Sequence, residues 1–94
     1  MGTIALFGVG MMGGAILEGL LASETFNEEI VVVEKRTERA DELADVYGVK
    51  NLTDEAAAAK AGTILLMVKP QDMGDLLQQI ANFVKPGTLV ISVA

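Results

Sequence analysis

Three stretches of this chain hold residues whose types and spacing could do chemistry. The first is Gly8-Val9-Gly10-Met11-Met12-Gly13, set between the apolar run Ile4-Ala5-Leu6-Phe7 and a helix-like pattern. Glycines so spaced can bind a dinucleotide: the first permits a tight strand-to-helix reversal, the second lets the backbone approach a pyrophosphate, and the third lets the helix pack closely on the strand. The N–H groups and dipole at the helix start would hold the phosphates, so the loop needs no basic residue, and it has none. Glycines at this spacing also occur in plain turns. The context favours the nucleotide, with a strand before, a helix after and a charged cluster ~20 residues on.

That cluster, Glu34-Lys35-Arg36-Thr37, closes a β-branched run from Ile30 to Val33. An acid at the end of the second strand normally accepts from a ribose 2′-hydroxyl and disfavours a 2′-phosphate, whereas Lys35 and Arg36 would attract one. Side chains alternate along a strand, so Glu34 and Lys35 face opposite ways and only one meets the ribose. Basic charge at a helix start opposes the dipole, and a 2′-phosphate would compensate it. The reading therefore favours Lys35 and Arg36, and NADP(H) over NAD(H). The plainer alternative for Lys35, Arg36 and Arg39 is a solvated helix start whose arginines pair with Glu38, Glu42 and their neighbours.

The third stretch, Val68-Lys69-Pro70, ends another apolar run. Lys69 either contacts the cofactor ribose or the substrate, or only flanks a helix whose first position suits Pro70. Asp72 and Asp75 fall on the solvent side of that helix and are assigned no catalysis.

The elements that must position these stretches alternate along the chain. Residues 3–7 read as a strand buried on both faces. A helix follows over 11–23, with Met12, Ile16 and Leu20 beside Ala15, Gly19 and Ala22 on its apolar stripe, and Glu18 and Glu24 left to solvent. A strand over 30–33 leads to a helix capped by Thr37 that buries Ala40, Leu43, Ala44 and Tyr47 and stops at Gly48. Val49 can add a brief edge strand. Thr53 can cap an alanine-rich helix, with Asp54 and Glu55 at its favourable end and Gly62 beyond it.

A strand over 63–68 precedes the clearest helix, whose stripe is Met73, Leu76, Leu77, Ile80 and Val84. Lys85-Pro86-Gly87 suits a type II turn into a last strand over 89–93. Short connections between alternating strands and helices imply one domain, a doubly wound parallel α/β sheet of Rossmann type with strand order 3-2-1-4-5. In such sheets ligands bind beyond the carboxyl ends of the strands, where the three stretches converge.

Composition narrows the chemistry. Ninety-four residues allow one modest core, and the net charge of −6 argues against a nucleic-acid surface. With neither cysteine nor histidine there are no disulfides, no thiol or imidazole catalysis and none of the usual zinc sites; no metal is expected. No apolar run nears the ~20 residues of a membrane span, and no export signal is apparent, so a cytoplasmic location is expected.

The motifs resemble the N-terminal domain of pyrroline-5-carboxylate reductases, which reduce 1-pyrroline-5-carboxylate to proline with a nicotinamide cofactor. The resemblance covers the whole chain and rests on GVGMMGGAILEGLLAS at 8–23, ELADVYGV at 42–49, MVKPQ at 67–71 and LVISVA at 89–94. It implies that Gly8, Gly10, Met11, Met12 and Gly13 form the pyrophosphate loop. Lys35, Arg36 and Thr37 would surround the adenosine ribose, and Val68, Lys69 and Pro70 would lie along the nicotinamide ribose. No catalytic residue is assigned.

Two departures from the family stand out. Met11 replaces its usual asparagine, and its largely helical second domain, which makes the dimer and most of the imine pocket, is absent from these 94 residues. The chain therefore reads as a cofactor domain, inactive alone, of a homo-oligomeric reductase that meets its small imine substrate only with that second domain. The alternatives are a free-standing nucleotide-binding module, or the cofactor domain of a 6-phosphogluconate-type or deazaflavin-dependent dehydrogenase.

Overall fold

Alternate residues of one strand serve two different cores. In the computed structural model, which describes residues 2–23 and 28–93 and Met11 and Met12 by backbone alone, β1 (Thr3–Phe7) lies at the centre of a five-stranded parallel sheet. It pairs with β2 (Glu29–Val33) on one side and β4 (Thr63–Leu66) on the other, with Ile4 opposite both Ile30 and Thr63. Outside these lie β3 (Lys50–Asn51) and β5 (Leu89–Ser92), so the order is 3-2-1-4-5, as expected. The crossovers are α1 (Met11–Ala22), α2 (Thr37–Tyr47), α3 (Asp54–Lys60) and α4 (Pro70–Ile80).

Ala5, Phe7, Val31, Val33, Ile64 and Leu66 pack on one side with Ala57 and Ala58 of α3 and Leu76 and Ile80 of α4. Ile4, Leu6, Ile30 and Val32 pack on the other with Leu17 of α1 and Leu43 of α2. This two-sided burial explains why the strands read as continuous apolar runs.

Several helix ends follow from local chemistry. Thr53 caps α3, its hydroxyl accepting from the Ala56 N–H at 3.2 Å. Gly48 closes α2 at φ +69°, the left-handed conformation that favours glycine. The turn into β5 is the expected one, with Gly87 at φ +87° and the Thr88 N–H donating to the Lys85 carbonyl at 3.2 Å.

The expectations fail in a few places. On α1 the buried residues are Gly13, Gly14 and Leu17, with Ile16 and Leu20 half-buried, while Ala15, Gly19 and Ala22 are exposed. That helix is apolar nearly all round, so spacing selects no face; the close approach at Gly13 does. A Cβ there would lie 3.3 Å from the Gly8 carbonyl oxygen and from Val9 Cγ1. Ala44 and Leu77 are also exposed. Arg36, not Thr37, occupies the cap position of α2. The edge strand β3 comes just after Val49, which is buried, and β4 stops at Leu66. Glu24 and Ala94 lie outside the described residues.

Candidate functional site

The glycine loop leaves β1 directly. Gly8, at φ +83°, donates its N–H to the Val33 carbonyl at 3.0 Å, tying the turn to the end of β2. Gly10 caps α1 without any side-chain hydrogen bond, and the first bond of the helix runs from the Gly14 N–H to the Gly10 carbonyl at 2.9 Å. The N–H groups of Met11, Met12 and Gly13 therefore have no partner within the helix. A Cβ on Gly10 would meet nothing within 4 Å, so this side of the loop is an open cradle edged by backbone.

The Val9 carbonyl faces the other way. It accepts from Arg39 Nε at 3.3 Å and from Arg36 Nη2 at 3.5 Å, which turns its negative end away from the cradle. Arg39 lies so close over α1 that a Cβ on Gly14 would come within 2.7 Å of its Nη2.

At the end of β2, Glu34 is buried and Arg36 folds back onto it. Glu34 Oε2 accepts from the Arg36 backbone N–H at 3.0 Å and Nε at 3.1 Å, and Oε1 accepts from Nη2 at 3.3 Å. Burial pushes the Glu34 carboxyl up, but hydrogen bonds from the Arg36 side chain and backbone, its charge, and a bond from the Val9 N–H outweigh it, holding the group below its ordinary value. The same carboxylate raises the Arg36 guanidinium. Asn51 on β3 fixes this tip, accepting from the Glu34 N–H at 2.8 Å and donating to its carbonyl at 3.2 Å.

Lys35 leaves the tip on the opposite side. Its ammonium donates to Asp54 Oδ2 at 2.6 Å, at the start of α3. Both residues border a cavity of about 270 Å³ whose apolar surfaces come from Phe7, Val33, Val68 and Leu76 and whose polar rim includes Asp72, Asp75 and Gln79.

The expected residues thus divide. Gly8, Lys35 and Val68 share that cavity; Gly10, Met11, Met12 and Gly13 make the adjoining cradle; Arg36, followed by Thr37, flanks it at the Val9 carbonyl. Pro70 borders a separate apolar hollow with Met73 and Val93, and Lys69 is an exposed cap of α4 that borders neither. Sequence reasoning missed Asp54, Asn51 and Arg39 as parts of this arrangement, and it sent Asp72 and Asp75 to solvent without seeing that they rim a cavity. Their own neighbours in sequence carry no sign of it; the placement of α3 and α4 against β2 does. Among the described residues no acidic cluster could hold a metal ion, and no helix is long and apolar enough to cross a membrane.

Residues 3–94 match the family described as NADP oxidoreductase, coenzyme F420-dependent. The chain is 40% identical over 83 residues to a pyrroline-5-carboxylate reductase of Corynebacterium melassecola, covering 87% of this chain and 31% of that one. A solved pyrroline-5-carboxylate reductase from Coxiella burnetii is similar at a TM-score of 0.88 and 25% identity, over 99% of this chain and 35% of the other. A semialdehyde dehydrogenase NAD-binding protein from Cupriavidus necator, solved with calcium and NAD, is similar at 0.81 and 31% identity, over 99% and 33%. The chain spans about a third of the length of each relative.

Proposed function

The chain belongs to the family described as NADP oxidoreductase, coenzyme F420-dependent, and from that membership and its likeness to pyrroline-5-carboxylate reductases we propose that residues 1–94 are the dinucleotide-binding domain of a reductase converting 1-pyrroline-5-carboxylate to proline. The carrying observation is the convergence, at the carboxyl ends of β1, β2 and β4, of a helix start with no side-chain cap bond, an open glycine cradle and a cavity. In an open parallel sheet this is where a dinucleotide lies.

Gly8, Gly10 and Gly13, with the backbone of Met11 and Met12, would hold the pyrophosphate. The cavity is smaller than the ~300–1,000 Å³ of sites that engulf a whole ligand, so it suits the base, and its carboxylate rim suits an exocyclic amine. Lys35 forms part of its wall. Arg36 and Thr37 take the ribose 2′ side, and Val68, Lys69 and Pro70 the nicotinamide ribose. NADP(H) is favoured over NAD(H) because the Glu34 carboxylate, the group that would accept from a 2′-hydroxyl, is already engaged by Arg36.

When bound, the nicotinamide supplies the hydride. These residues bind and orient it, and a further domain would orient the imine and exclude water. The 31% identical NAD-bound relative supports a second reading, a cofactor domain for another dehydrogenase substrate.

Titration calorimetry tests the assignment. Arg36→Ala should weaken NADPH by roughly 1.5–3 kcal/mol, the worth of a hydrogen bond to a charged group, and should not weaken NADH, since it frees the Glu34 carboxylate to accept from the 2′-hydroxyl. Equal losses for both would refute the 2′-phosphate role. Proline formation by these 94 residues alone would overturn the need for a second domain, and assays of a longer chain with other carbonyl or hydroxyl substrates separate the two readings.

A further inference from the structure

The two cations at the end of β2 do not act together. Arg36 lies on the glycine-loop side, within 3.5 Å of the Val9 carbonyl. Lys35 lies on the α3 side, 2.6 Å from Asp54. Asp54 is 2% exposed and held in place as the first residue of a capped helix, whereas the Lys35 side chain is 74% exposed. The fixed partner is therefore the acid, and the movable one is the lysine.

We propose that Asp54 is a specificity-determining residue for the dinucleotide: it ties Lys35 to α3 and so leaves Arg36 alone to answer the ribose 2′ substituent. The inference rests on the dinucleotide reading above. Arg36 is itself partly neutralised by Glu34, so the tip as built meets a 2′-phosphate with less positive charge than its sequence contains. Lys35 has a four-carbon stem and a single ion-pair partner among the described residues. Freed from Asp54, its ammonium can swing over the strand end toward a phosphate, as a flexible point charge does.

The test uses the 94-residue chain and equilibrium titration with NADPH and NADH. Asp54→Asn keeps the shape of the helix start and leaves no buried charge unpaired, because the exposed lysine is hydrated. It should raise the ratio of NADPH to NADH affinity about fivefold, the scale of one exposed charged contact. The gain should vanish when Lys35→Met is added, and Asp54→Ser, a second neutral residue suited to a helix start, should behave as Asp54→Asn does. An unchanged ratio in both neutral variants would overturn the proposal while leaving the dinucleotide reading intact. A gain that persists without Lys35 would overturn it too, since Asp54 would then act by direct repulsion. Binding of neither dinucleotide by any variant would refute both readings.

Discussion

Gly8 and Gly10 belong to one motif, yet substitution at each should fail differently. At Gly8 the backbone is left-handed, φ +83°, and a Cβ would stand 3.0 Å from Val68 Cγ1 and 3.2 Å from the Met67 carbonyl oxygen. Alanine in that conformation costs about 1–2 kcal/mol, and the forced contact adds about 1–3 kcal/mol because the Met67 backbone is hydrogen-bonded to Phe7 and cannot retreat freely. The reduced freedom of the unfolded chain returns about 0.4–1 kcal/mol, so Gly8→Ala should lose roughly 1–4.5 kcal/mol net. For a domain of this length that is a sizeable part of the roughly 5–14 kcal/mol available, and it lowers Tm by roughly 5–35 °C. Gly10 has φ −86° and open space where its Cβ would go.

Gly10→Ala should therefore stay within about 1 kcal/mol of the parent, the scale of a weakened cap, while obstructing a pyrophosphate in the cradle. Urea denaturation followed by circular dichroism, with NADPH titration alongside, separates the two. Equal stability losses would refute the packing argument, and undiminished binding by Gly10→Ala would refute the cradle.

Glu34 should govern part of the acid limb. Its folded pKa is depressed, so its stabilisation is complete above the unfolded value of about 4.3 and is lost as pH falls through the folded value. Glu34→Gln should flatten stability against pH over that interval, from about 4.3 down through the folded value, and an unaltered profile would sink the claim. Thr53→Ala should cost about 1 kcal/mol by removing the hydroxyl that accepts from Ala56, measurable by urea denaturation; no loss would mean that solvent replaces the cap. The β5 strand pairs on one side only and exposes Leu89, Val90 and Ile91, without lysine or proline to blunt the edge. The 94-residue chain should self-associate at high concentration. Light scattering that finds a monomer, unaffected by Ile91→Lys, would contradict this.

Short-range physics made much of this chain legible in advance. Parallel strands buried on both faces, the glycine turn, the Thr53 cap, the Gly48 stop, Pro70 at a helix start and the Lys85–Thr88 turn each depend on a few adjacent residues and their allowed dihedrals, and the sheet order followed from the alternation of strands and helices joined by short crossovers. Period alone could not choose a face for α1, because nearly every face of that helix is apolar; the close approach of Gly13 to Gly8 and Val9 in the turn after β1 chose it. Nor could sequence decide which charges at the β2 tip were available. Lys35 and Asp54 are 19 positions apart, and Arg39 and Val9 are 30 apart. Glu34 is taken by a residue two positions on only because the chain turns there, pinned by Asn51 from β3. The residue types were the sequence's to set; their pairings were decided by folding, since an ion pair depends on distances that exist only once separate elements pack against the same strand end.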